Sequence, residues 1–174
     1  MKALSLTFLE LRCAYLSEEG VSTAYSMMPM AWSTITNLSL DEFHVTEKEL
    51  HWFTELPVLE ELTVELSVSQ PPTPDSTESI SQRNTSFKTL RSSHDVDIKG
   101  DIHQIARWLL SLWPTIEKVD WERNSEDTDA SNCDIIANGL NSAISIFRQL
   151  RDTKSKLATY SYGAQALKLF HPEL

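Results

Sequence analysis

The chain has 174 residues, of which 41% are apolar and 23% charged, values typical of a globular domain. Its 15 Lys and Arg residues against 25 Asp and Glu residues give a net charge of −10. This charge disfavours nucleic acid and anionic membrane as partners, because both require an excess of cations at the contact. No apolar run reaches the length of a transmembrane helix, and Cys13 and Cys133 lack zinc-site or disulfide-framework spacing. With no signal-peptide pattern, we expect a cytoplasmic or nuclear protein.

The chain opens with an apolar-x-apolar pattern that predicts a β-strand core at Leu4 and Leu6. The same pattern returns at Leu38 and Leu40, where Ile35 stands three positions earlier, so that "ITNLSL" reads L-x-x-L-x-L. Alternation of this kind directs one set of side chains into a core and the other set toward solvent.

The segment "TEKELHWFTEL" (46–56) predicts an amphipathic helix. Thr46 followed by Glu49 forms a capping box, the signature of a helix start. Pro57 ends the helix and turns the chain into a third extended pattern, "LEELTV" (59–64).

Residues 67–86, "SVSQPPTPDSTESISQRNTS", are rich in Ser, Thr, Pro and Gln and poor in apolar residues. This composition predicts a disordered insertion within a single domain that spans residues 1–174. Thr73-Pro74, followed by acidic residues, raises the hypothesis of a phosphorylation-regulated loop, beside the simpler one of a neutral insertion.

A weaker strand pattern follows at Phe87 and Leu90, with Ser92 in its last apolar slot. The segment "DIHQIARWLLSLW" (101–113) predicts a second helix with Asp101 as its N-cap. Pro114 then leads into "IEKVDW" (116–121), as Pro57 leads into "LEELTV". The stretches "LPVLEELTVE" and "WPTIEKVDWE" therefore share one plan of helix, stop and strand.

Apolar residues at helical spacing predict a third helix from about Asp134 to Arg151. The tail from Lys154 to Leu174 leaves two interpretations open. "LATYSYG" fits one more strand, and "AQALKLF" fits a short helix.

The strand patterns repeat along the chain. If Leu4, Leu38, Leu62, Leu90 and Val119 are equivalent, the copies lie 34, 24, 28 and 29 residues apart. Three of these steps fall within the roughly 20–29 residues of leucine-rich repeats.

The segments "ITNLSLDEF", "ELHWFTELPVLEELTVE" and "IARWLLSLWPTIEKVDWE" resemble the repeat region of fungal F-box/leucine-rich-repeat proteins. The resemblance implies an α/β leucine-rich-repeat-like solenoid fragment, with a parallel sheet on the concave side and helices on the convex side. It also implies substrate recognition in an F-box-type ubiquitin ligase, whose adaptor would bind only if a longer form carries an F-box.

Side chains between the apolar strand residues are predicted to line the concave face. We expect this mainly acidic face to bind a protein partner with a basic surface, and the alternative is an ordinary solvated face. Ser5, Thr7, Asn37, Ser39 and Arg91 extend the row of candidate residues. The residues that carry the prediction are Asp41, Glu61, Thr63, Glu65, Lys118, Asp120 and Glu122.

The five tryptophans are predicted to pack in the core rather than form an aromatic cage. The histidines are scattered, and His44 and His51 would share a helix face only if the helix began before Thr46. The weak "HDVD" pattern (94–97) is the nearest approach to a metal site, and no phosphate, dinucleotide or zinc-protease motif is present. We therefore expect a protein that is not an enzyme and that has no metal and no cofactor.

Three functional hypotheses follow from these patterns. The first is a protein-binding repeat module that acts through the concave face. The second is a structural C-terminal fragment of a longer repeat protein with its binding site elsewhere. The third is an enzyme with an unrecognised site, which would require a cleft holding a His or Cys with a shifted pKa.

Overall fold

A computed structural model describes residues 6–12, 30–69, 85–93, 97–121 and 130–170. The predictions made for Leu4, Ser5, Cys13, Thr73 and Glu122, and for most of the insertion, lie outside the described residues. The helices are α1 (Glu47–Phe53), α2 (Ile102–Leu112) and α3 (Ala130–Phe170). The strands are β1 (Phe8–Arg12), β2 (Asn37–Val45), β3 (Glu61–Val68), β4 (Thr89–Ser92), β5 (Asp97–Ile98) and β6 (Lys118–Trp121).

The strands form a parallel sheet in the order β1-β2-β3-β4-β6, and β5 pairs with the end of β3. One apolar residue from each main strand lies in a single register row: Leu9, Leu38, Leu62, Leu90 and Val119. The copies are therefore 29, 24, 28 and 29 residues apart, and all four steps suit leucine-rich repeats. The predicted α/β repeat fold with a parallel sheet is confirmed.

The predicted position of the first strand is wrong. Leu6 precedes β1 and is exposed, and Leu9, not Leu4, pairs with Leu38. Both sites carry an apolar-x-apolar pattern, so local alternation did not distinguish them. Pairing with β2 selects the second one.

Successive repeats are joined by the same pair of backbone hydrogen bonds. In each junction, two consecutive N–H groups donate to one carbonyl oxygen of the preceding repeat. That carbonyl lies two positions before the register-row residue of the preceding repeat (Leu9, Leu38, Leu62 or Leu90). The pairs are Thr36 and Asn37 to Thr7 (2.9 and 3.1 Å), Glu60 and Glu61 to Thr36 (2.7 and 3.0 Å), Lys88 and Thr89 to Glu60 (2.8 and 3.0 Å), and Glu117 and Lys118 to Lys88 (2.8 and 3.1 Å).

The repeated prolines occupy the same tight turn in two repeats. The N–H of Leu59 donates to the carbonyl of Leu56 (3.5 Å), and Ile116 donates to Trp113 (3.1 Å). Each proline is the second residue of its turn, where its fixed φ is favourable. The apolar residues at both ends of each turn are buried. The predicted plan of helix, stop and strand is confirmed.

Both predicted helix starts are confirmed. Thr46 and Glu49 form the capping box of α1, with the Thr46 N–H 2.9 Å from a Glu49 carboxylate oxygen. The Asp101 side chain caps α2 by accepting from the backbone N–H of His103 (2.9 Å). These bonds satisfy N–H groups that the first turn of a helix leaves without intrahelical partners.

The main core lies between the sheet and the helices, which contribute Leu50 and Phe53 from α1 and Leu109 from α2. Trp113 is completely buried and stacks on Phe87, with ring centroids 4.2 Å apart. The predicted packing role of the tryptophans is confirmed. Trp108, Trp113 and Trp121 are buried, and Trp32 and Trp52 are partly buried against the main core.

The first residues of the predicted insertion belong to the sheet instead. Ser67 and Val68 belong to β3 and pair with β5, and Val68 is buried. Ser92 occupies a strand position where the repeat has an apolar residue, and it is buried. This polar side chain is tolerated there because its Oγ accepts a hydrogen bond from the Leu66 N–H (3.1 Å). The bond satisfies a backbone donor at the point where β4 ends.

The third helix is longer than predicted at both ends and takes in both segments of the tail, so the strand interpretation of "LATYSYG" is wrong and the helix interpretation of "AQALKLF" is confirmed. α3 continues to Phe170, and no proline interrupts it. Of the described helices, none is long and apolar enough to cross a membrane.

α3 closes one edge of the sheet through three side chains spaced seven residues, about two helical turns, apart. Asn141 accepts from the Val119 N–H (2.7 Å) and donates to the Val119 carbonyl (2.9 Å), as a neighbouring strand would. The other bonds run from Trp121 Nε1 to Asp134 (3.1 Å) and from Arg148 to the Ile116 carbonyl (3.3 Å). The outer edge of β6 is therefore protected from pairing with another strand.

Candidate functional site

The side chains that alternate with the buried strand residues point away from the helices. We call the surface they form the open sheet face. Among the members whose side chains the structure describes, five are carboxylates and two are Lys or Arg, so this set of side chains is mainly acidic. Its members with described side chains include Phe8, Glu10, Asn37, Ser39, Asp41, His44, Glu61, Thr63, Glu65, Thr89, Arg91, Lys118 and Asp120.

A depression of about 290 Å³ lies in the open sheet face across β1 to β4. Of the predicted site residues, it brings together Asp41, Glu61 and Thr63. Its other lining residues are Phe8, Glu10, Asn37, Leu38, Ser39 and Arg91.

A bulge in β2 separates Asp41 from Glu65. The register passes from Leu40 opposite Val64 directly to His44 opposite Glu65, while Asp41 pairs with Arg12 of β1. Asp41 therefore lies in the depression. Glu65 lies outside it, with its Oε1 3.5 Å from Nδ1 of His44.

The Glu61 carboxylate is oriented by a short chain of hydrogen bonds. Thr36 Oγ1 donates to Asn37 Oδ1 (2.8 Å), and Asn37 Nδ2 donates to Glu61 Oε2 (2.7 Å). A carboxylate held in this way is a preorganised acceptor for a cationic group.

Phe8 and Glu10 are members of the depression that the sequence prediction missed. Phe8 is 58% exposed, so a large apolar ring stands open to solvent beside the carboxylates. The signal was present in the sequence, because Leu9 lies 29 residues before Leu38 and places Phe8 and Glu10 in the alternate positions. Thr7, which was predicted for this row, precedes β1.

Lys118 and Asp120 share the open sheet face but lie on β6, outside the depression. Lys118 Nζ is 2.6 Å from Asp120 Oδ2, so these charges largely satisfy each other. Burial raises the pKa of Asp120. The hydrogen bonds from Lys118 and the Trp121 N–H, with the charges of Lys118 and Arg91, outweigh burial and hold that pKa below its ordinary value.

Lys118→Met is expected to raise the pKa of Asp120, because burial remains while the strongest lowering contact is lost. A depressed carboxyl pKa stabilises the fold above the unfolded value of about 4, and this contribution disappears as the pH falls through the folded pKa. In the variant, the free energy of unfolding should therefore lose the part of its pH dependence that comes from Asp120. Carboxyl titration by NMR measures the shift. Lys88→Met is the matched control, because Lys88 pairs with Glu60 (2.9 Å) and not with Asp120. An Asp120 pKa that does not change in Lys118→Met would contradict the assignment.

The residues considered for catalysis and metal binding are dispersed. His44 lies on β2 and His51 on α1, so they do not share a helix, and the Cys133 side chain is buried in a small cluster with Trp121. Across the described ranges, no group of three or more His, Cys, Asp or Glu side chains is placed to hold a metal ion. Most of the "HDVD" pattern lies outside those ranges.

The regular register, the shared repeat junctions and the helices on one side define the chain as an α/β leucine-rich-repeat-like solenoid. No protein-family model and no curated protein sequence matches it. Among solved structures, the chain is similar to the actin-binding site 2 of leiomodin-1 at a TM-score of 0.47 and 12% sequence identity. The match covers 87% of this chain and 88% of that one.

Proposed function

We propose that the chain is a non-catalytic protein-binding repeat module that binds a basic peptide or protein surface through its open sheet face. The observation that carries the proposal is the depression, where Asp41 and Glu61 lie beside Glu10 and the exposed ring of Phe8. Among the lining residues that the structure describes, three are carboxylates and one, Arg91, is a cation.

The chemistry of the depression favours a Lys- or Arg-bearing partner. Opposite charges across an interface accelerate encounter and reject wrong partners. An exposed phenylalanine adds an apolar contact and an aromatic face on which a cation can rest. Lys118, a second described cation of the open sheet face, is paired with Asp120 and does not oppose such a partner.

Substrate recognition in an F-box-type ubiquitin ligase is the finer form of the proposal. Its support is the sequence resemblance alone. In that role the open sheet face would hold the substrate, and a ligase adaptor would join only if a longer form of the chain carries an F-box.

The test reverses charge inside and outside the depression. The double variant Asp41→Lys and Glu61→Lys is expected to weaken partner binding at least about tenfold, which corresponds to about 1.4 kcal/mol. The matched control, Glu55→Lys and Glu117→Lys, makes the same charge change at exposed positions that do not line the depression. Both proteins and the wild type serve as baits for capture from an extract of the source cells, after thermal melts establish that each is folded.

Partners lost from the first variant and retained by the control would support the open sheet face. Equal recovery by all three baits would overturn it. A ligase adaptor among the retained partners would support the finer proposal. Failure of every bait would favour the hypothesis of a structural fragment with its binding site elsewhere.

A further inference from the structure

A groove of about 320 Å³ lies on the helical side of the protein, between α2 and α3. Its floor is mostly apolar, and one arginine from each helix stands at its rim. Phe147 is half-buried in the floor, and the Arg107 guanidinium lies 4.7 Å from the centroid of its ring. The lining residues are Arg107, Leu110, Ser111, Pro114, Phe147 and Arg151.

Two exposed apolar residues of α3, Ile146 and Leu150, directly precede the groove residues Phe147 and Arg151 in the sequence. At Gly139, α3 packs closely on α2, where an added Cβ would lie only 3.2 Å from Ile102 Cδ1. Ile146 and Leu150 follow on the same side of the helix, seven and eleven residues further on. They are 52% and 60% exposed. The two helices are therefore in close contact at Gly139, and exposed apolar side chains stand on the same side of α3 further along the helix.

Two cations, Arg107 and Arg151, line this groove, although the whole chain carries −10. The range of α3 contains five Lys and Arg residues and only two Asp residues, and four of the five cations fall between positions 148 and 156. Arg107 adds a further cation from α2. Asp152 lies next to Arg151, with its Oδ1 3.9 Å from Arg151 Nε.

We propose that the groove between α2 and α3 binds an acidic amphipathic helix of a partner protein. Apolar residues at helical spacing on that helix would fill the floor and cover Leu150, as in other helix-in-groove complexes. Its carboxylates would pair with Arg107 and Arg151, whose planar guanidinium groups match carboxylate geometry. The open sheet face is not involved, so this proposal is independent of the function proposed above.

A nucleic acid is a poorer occupant of the same groove. Binding of a nucleic-acid backbone requires many Lys and Arg residues that contact successive phosphates. Here only two arginines are among the described lining residues, and the floor between them is apolar. The charge and the apolar surface together select a partner that offers both carboxylates and aliphatic side chains.

Two fluorescein-labelled peptides of about four helical turns are the probes. Both carry Leu and Phe at helical spacing; one has Glu at the remaining positions and the other has Lys. Fluorescence anisotropy with the full chain is expected to show binding of the acidic peptide, at least about tenfold tighter than of the basic one. Arg107→Glu with Arg151→Glu should lose that binding about tenfold or more, and Leu150→Asp should also weaken it.

The matched control is Lys48→Glu with Lys99→Glu, which makes the same charge change at exposed sites outside the groove. It should keep the affinity within about twofold, since its residues make no groove contact. The proposal is overturned if the acidic peptide does not bind, if both peptides bind equally, or if the control variant loses as much as the arginine variant. Tighter binding of a labelled single-stranded oligonucleotide to the same arginines would also overturn it.

Discussion

Trp113→Ala is expected to lower the free energy of unfolding by about 3–5 kcal/mol, the largest stability loss that we predict for a single substitution. Trp113 is 0% exposed and stacks on Phe87 at an interplanar angle of 20°. Its removal would leave a cavity beside the turn that connects α2 to β6. The free energy of unfolding of a typical domain is only about 5–15 kcal/mol, so the variant would be marginally stable.

Urea unfolding followed by circular dichroism measures this loss, because tryptophan fluorescence itself changes with the substitution. Trp113→Phe is the matched control. It retains an aromatic ring against Phe87 and removes the Trp113 Nε1–H, which is buried and has no hydrogen-bond partner among the described residues. Since an unsatisfied buried donor costs about 1–3 kcal/mol, the control should lose much less than the alanine variant. Equal losses would contradict the packing argument.

Asn141→Ala is expected to lower the free energy of unfolding by about 2 kcal/mol and to open the edge of the sheet to pairing. The substitution removes both hydrogen bonds to the Val119 backbone, at 2.7 and 2.9 Å. Alanine favours helix more than asparagine does, so the loss would arise despite a better local helix propensity.

Urea unfolding gives the stability change, and size-exclusion chromatography over a range of concentrations detects edge-to-edge association. Asn138→Ala is the matched control, because Asn138 is exposed on the same helix. This control should have an unchanged or slightly higher free energy of unfolding. It should also elute like wild type at every concentration. An Asn141→Ala protein that behaves like this control would show that α3 does not protect the edge of β6.

The local elements of the fold are encoded in short stretches of sequence. The capping box at Thr46, the N-cap at Asp101 and the prolines after two helices each act within a few residues, so their patterns predict the helix boundaries. Strand alternation likewise places Asp41, Glu61 and Thr63 on one face. Each of these inferences depends only on the period of a helix or a strand.

The arrangement of the candidate site depends on contacts between distant residues. Two apolar-x-apolar patterns compete near the start of the chain, and only pairing with β2 selects Leu9 and brings Phe8 into the depression. The bulge in β2 separates Asp41 from Glu65, although both belong to the same predicted row. No local period encodes a register shift, because it is decided by the partner strand.

The sequence by itself determined the repeat, the starts and stops of α1 and α2, and the acidic composition of the strand positions that alternate with the core, because periodicity and composition act locally. Tertiary structure alone decided the register of β1, the closure of β6 by Asn141 and the groove between α2 and α3. These features join residues that are tens of positions apart in the chain. Their geometry follows from packing and pairing between elements, which no short pattern specifies.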